Sequence, residues 1–80
     1  MTAVAAEGAR IAVLGERARV EGYALGGALA VPADGPEEVE ARWDGLGAEV
    51  AVVVLTRAAA EALGDRTRRR PGVLTVVMPP

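Results

Sequence analysis

The chain alternates between two periodicities. Arg10-Ile11-Ala12-Val13-Leu14 is a short unbroken apolar run that stops at Gly15. An unbroken run, as opposed to strict alternation, is how a strand buried on both faces of a sheet reads. Over residues 17–27 the spacing switches to a period near 3.6, with Val20, Tyr23, Ala24 and Gly27 on one core-facing stripe of a helix. Gly22 and Gly26 lie inside that stretch, each costing about 1 kcal/mol relative to Ala, so this helix depends on tertiary packing. Ala28-Leu29-Ala30-Val31 reads as a second, shorter strand, ended by Pro32.

Asp34-Gly35-Pro36-Glu37 is a helix start. Asp34 is placed to accept from the amide near Glu37, Pro36 sits where no amide is required, and Glu37 can return the bond. Val39, Trp43 and Leu46 follow at core spacing, Glu38 and Arg42 form an outward pair, and Gly45 or Gly47 closes the helix. Val50-Ala51-Val52-Val53-Val54-Leu55 is the strongest strand signal and belongs in the centre of a sheet, with Val52 and Val54 on one face, Val53 on the other, all nearly free of solvent. Residues 57–63 are Ala-rich and helical, with Thr56 as cap and Gly64 as stop; residues 65–72 form a basic loop, and residues 73–78 a last strand.

The order β-α-β-α-β-α-β with short connections gives a parallel sheet with right-handed crossovers. With the two unbroken apolar strands in the centre, the expected order is 2-1-3-4, a small doubly wound, flavodoxin-like α/β domain over residues 10–80, preceded by a flexible terminus over residues 1–9. The sequence shows neither an internal repeat nor a linker.

Composition narrows the chemistry. The 80 residues are 51% hydrophobic and 25% charged, but only 2% aromatic, so the core is built from small branched side chains. There is no Cys, His, Lys, Ser, Asn or Gln. That removes Ser-His and Cys-His nucleophile pairs, Schiff-base lysines, imidazole and thiolate metal sites, and the Gly-Lys-Ser/Thr phosphate loop. No catalytic residue, cofactor or metal is expected. A net charge of -2 gives no reason to expect nucleic acid, and no aromatic platform flanks the cluster Arg66, Arg68, Arg69 and Arg70. That cluster reads either as a solvated loop or as a contact for an acidic protein. Residues 1–8 lack the basic start and apolar core of a signal peptide, and the longest apolar run is too short to span a bilayer, so a cytoplasmic protein is expected.

The turn Leu14-Gly15-Glu16 falls at the carboxyl end of the first strand, beside the switch point where such sheets bind ligands. The dinucleotide fingerprint is missing, since the next glycine is Gly22, and Glu16 stands where an anion would sit. A phosphorylation receiver shares the topology but needs paired acids after the first strand, an Asp after the third and a Lys on a further strand; here the third strand ends Leu55-Thr56-Arg57, and there is neither a Lys nor a fifth strand.

Arg10 to Glu16, followed by Val20-Glu21-Gly22-Tyr23-Ala24-Leu25-Gly26-Gly27, resembles the F subunit of V/A-type rotary ATPases, whose first strand is followed by Gly-Asp and a helix carrying Val-x-Gly-Phe-x-Leu-Ala-Gly. Val53-Val54-Leu55-Thr56 with Ala59, Ala60 and Leu63 is similar to that family's strand–Thr–helix element, and Pro71, Leu74, Val76 and Pro79 to its last strand. Glu16 replaces the usual Asp, Tyr23 the usual Phe and Gly26 the usual Ala, and members commonly continue with a C-terminal helix beyond the position of Pro80. The resemblance implies a non-catalytic subunit of the central stalk, bound to the long helical D subunit and peripheral on the cytoplasmic face of the membrane. Such a subunit helps couple ATP turnover to proton or sodium movement.

Two other readings stand beside it: a small-ligand or anion-binding module using the Gly15 turn, and a degenerate signalling domain acting through protein contact. For a stalk subunit the expected interface comprises Gly15, Glu16, Ala18, Gly22, Leu25, Gly26, Arg68, Arg69 and Arg70. Leu25, flanked by Ala18 and Gly22 away from the core stripe, offers a face that another helix can approach closely.

Overall fold

The computed structural model describes residues 10–79. Along them run β1 (Arg10–Gly15), α1 (Arg17–Val20), β2 (Leu29–Pro32), α2 (Pro36–Asp44), β3 (Val50–Leu55), α3 (Arg57–Leu63) and β4 (Leu74–Val77). The strands form one sheet in the order β2-β1-β3-β4, and all three pairings are parallel. This is the expected topology, with the two most apolar strands inside and the two shortest at the edges. The flexible terminus expected over residues 1–9 lies outside the described residues.

Register assigns the two faces. Ala12 aligns with Val53 and Leu14 with Leu55. These four join Val39, Trp43 and Leu46 from the α2 segment and Ala59 and Leu63 from α3 in the main core. Val13 aligns with Val54 on the opposite face, where the buried core is only Val13, Val20 and Met78, with Ala28, Ala30 and Val54 packed against it. Thr56 caps α3 as expected, its hydroxyl accepting from Ala59 N at 3.2 Å, and Gly64 ends that helix with φ 53°.

Three expectations are corrected. The helix of residues 17–27 is a single α-turn followed by a 3-10 stretch, Glu21–Gly26. Three residues per turn replace 3.6, so the stripe loses phase after Val20: Val20 is buried, while Tyr23 and Gly27 are exposed. Gly22 and Gly26 give the α conformation too little support to continue. Second, Asp34 does not cap α2. The cap is Gly35 at φ 126°, which moves the start by one residue, and Glu38, not Glu37, returns a bond to Asp34 N at 2.7 Å. Third, Val53 is fully buried, but Val52 and Val54 are only half-buried and Ile11 is exposed. Among the described residues no helix lies over β3 and β4 on the weaker face of the sheet.

Candidate functional site

The crevice at the carboxyl ends of β1 and β3 is where a doubly wound sheet holds a ligand. Here the chain's own side chains occupy its mouth between β1 and β3. β1 ends in Gly15 and β3 is followed by buried Thr56, whose side chain lies over the Gly15 backbone: a Cβ at position 15 would fall within 2.8 Å of Thr56 Cβ. The Thr56 hydroxyl donates to Glu16 Oε1 while accepting from Ala59 N, so both of its bonding roles are taken. Next to it, Asp34 Oδ1 accepts from Arg17 N at 3.0 Å, meeting an amide at the start of α1 from a segment 17 residues away. An anion arriving here would meet two carboxylates and an amide already bound, which opposes the anion-binding reading.

The Thr56 hydroxyl, and then Glu16's own backbone amide, hold the Glu16 carboxyl below the ordinary glutamate range. A carboxyl with a lowered folded pKa contributes stability above its unfolded value, and the contribution disappears as pH falls through the folded pKa. Glu16→Gln is therefore expected to be less stable than the parent near neutral pH. The gap should close as pH falls from the ordinary glutamate range through the lowered folded value. Melting temperatures across pH 3–7 check this, and a constant gap would show that Glu16 acts by shape alone.

The Arg cluster is used mainly within the fold. Arg70 donates to the carbonyls of Trp43, at 2.5 Å, and Leu46, meeting acceptors at the end of α2, and its guanidinium lies 5.5 Å from the centroid of the Trp43 ring. Arg66 pairs with Asp44 at 3.2 Å and with Glu40 at 3.9 Å. Arg68 reaches Asp65 at 3.9 Å across open solvent, while Arg69 has no carboxylate partner among the described residues. Arg70 is thus a positioning residue for α2, not an available contact. Arg70→Ala should cost about 1–2 kcal/mol, the loss of charge-assisted bonds and of the stack on the ring. Because Trp43 is the only Trp, its emission reports the change directly: a red shift is expected, and an unchanged spectrum and melt would dismiss the contact.

The expected interface residues do not form one surface. Gly15 and Glu16 sit at the carboxyl end of the sheet, with Gly15 buried. Ala18, Gly22 and Gly26 are exposed on α1 and the 3-10 stretch after it. The side chain of Leu25 lies outside the described residues. Arg68, Arg69 and Arg70 are in the loop entering β4, at the amino end, and Arg70 packs on α2 across the sheet from α1.

Two cavities border these groups. One, of about 370 Å³, lies between α2 and α3 over Ala33, Val39 and Ala59, with Glu16 and Glu61 at its margin. The other, of about 500 Å³ and mostly polar, is formed by Trp43, Asp44, Arg66, Arg69 and Arg70. Among the described residues no cluster of three or more acids is placed to hold a metal ion, and no helix is long and apolar enough to cross a membrane.

A surface the periodicity did not reveal is apolar: Ile11, Leu74 and Val76 are each about half exposed or more. The available signal was a count of connections, because three crossovers cannot cover both faces of four strands. No family model matches the chain, and no curated protein matches it.

Proposed function

We propose that the chain is a non-catalytic docking subunit of the kind its sequence resembles, the central-stalk F subunit of a V/A-type rotary ATPase. In that role it binds the helical D subunit at the cytoplasmic side of the membrane and helps transmit rotation between ATP turnover and ion movement. The observation that carries this reading is the mouth of the crevice between β1 and β3, occupied by the chain's own side chains. Thr56, Glu16 and Asp34 occupy or neutralise the place where this topology holds a small ligand. What remains for recognition is outer surface, which suits protein contact. The residue inventory points the same way, since it offers no phosphate-cradling Lys.

Co-expression with a V/A-type D subunit tests the proposal. A complex that survives gel filtration, with no ATP turnover by the isolated chain, is expected. Absence of a complex at micromolar concentrations, or ATP binding of micromolar affinity by calorimetry, would overturn it. A melting temperature raised by phosphate or nucleotide would favour the small-ligand module instead.

A further inference from the structure

Strands of a parallel sheet are normally covered by helices on both faces. α2 and α3 cover one face here. On the other, α1 and the 3-10 stretch after it pack chiefly on β2 and β1, and Met78 fills the corner against Val13 and Val20. Beyond that corner the register places Ile11, Val52 and Leu74 side by side across three strands, with Val54 and Val76 in the next row. Leu74 is 63% exposed, Ile11 50% and Val76 46%.

We propose that this bare strip is the docking surface for a single amphipathic helix of a partner protein. The inference rests on the docking-subunit reading and names the surface that such a subunit uses. Size selects the occupant. Three adjacent strands span roughly 10 Å from the first to the third, which is about the diameter of one helix with its side chains. The strip exposes Ile11, Leu74 and Val76, far fewer than the roughly 20–30 residues a side of a stable interface. A second copy packed face to face is therefore poorly matched, whereas one helix fits. Charge refines the choice. Arg19 on α1 borders the strip, its guanidinium reaching the Met78 sulfur at 3.9 Å, and it has no carboxylate partner among the described residues. Arg10 is exposed at the amino end of β1. The helix that fits carries an apolar stripe flanked by Asp or Glu.

Because the chain has no Cys, Leu74→Cys accepts one environment-sensitive dye without side reactions. Titration with the D subunit is expected to give a saturable blue shift of that dye. Leu74→Asp should bind at least tenfold more weakly while melting near the parent temperature, since the side chain is exposed. Equal affinity of Leu74→Asp and parent would overturn the docking surface and leave the stalk reading standing. If the D subunit fails to bind the parent, the stalk reading falls, and a synthetic amphipathic helix of Leu, Glu and Lys decides the surface. A saturable blue shift with that peptide in the labelled Leu74→Cys variant, lost when Val76→Asp is added to it, supports the strip, and no shift overturns it. Self-association of the parent in sedimentation, abolished by Leu74→Asp, would assign the strip to a second copy and also overturn the proposal.

Discussion

Val53→Asp is expected to unfold the domain at room temperature, with loss of its circular dichroism. Val53 is fully buried on an interior strand, aligned with Ala12 on one side and Thr75 on the other, and faces the core shared with α2 and α3. The residues that share that core with Val53 are apolar, so the carboxylate would be unpaired or would protonate at a cost of several kcal/mol. A whole domain holds only about 5–15 kcal/mol, and one this small belongs at the lower end. The neighbouring substitution provides the contrast. Val52 points to the sparsely covered face and is half-buried, so Val52→Asp keeps part of its hydration and should leave a folded, less stable protein. If the two variants melted alike, the assignment of the faces would be wrong.

That contrast also marks what could be read from residue order. Strand order followed from which apolar runs are unbroken, because burial on both sides is a local property of composition. The Thr56 cap and the Gly64 stop were legible for the same reason: each acts on backbone within four residues of itself. Asp34 was misplaced because the amide it meets, Arg17 N, is 17 residues away, and local spacing assigns a capping residue to the helix that follows it. Tyr23 was misplaced because periodicity assumes one helix type, and the chain tightens to a 3-10 turn after Val20. Arg70 read as surface charge, since nothing local ties position 70 to the carbonyls of Trp43 and Leu46. The bare strip was hidden by the rule that found the strands. An apolar run shows that a face avoids water, not that this chain covers it. Of the expected interface, Glu16 was found for its position and turned out to be bonded to Thr56, a pairing across 40 residues.

Gly15→Ala is expected to lower stability by about 2–3 kcal/mol, because it overfills a site with no free volume. For a domain of this length that corresponds to a fall in Tm of roughly 10–20 °C. Glycine is not required here for a positive φ, which occurs among the described residues at Gly27, Gly35, Gly64 and Gly72. It is required because the added methyl would strike Thr56. Neither side can yield easily. Gly15 is held in β1, its carbonyl accepting from Ala33 N at 2.8 Å, and Thr56 is held by Glu16, by Ala59 N and by its own amide on Leu14 O at 3.1 Å. Turning the Thr56 side chain away would uncap α3 and leave the Glu16 carboxylate without its donor. The clash therefore has to be relieved by moving β1 against β3, the pairing at the centre of the sheet. A double-mutant cycle separates this from a general intolerance of substitution at the strand end. In a Thr56→Gly background, itself destabilised by loss of the cap, the three atoms nearest the added methyl are gone, and Gly15→Ala should cost little or raise stability by restricting the unfolded chain. An equal cost in both backgrounds would mean that the close approach of Thr56 to Gly15 is not what keeps glycine at the end of β1.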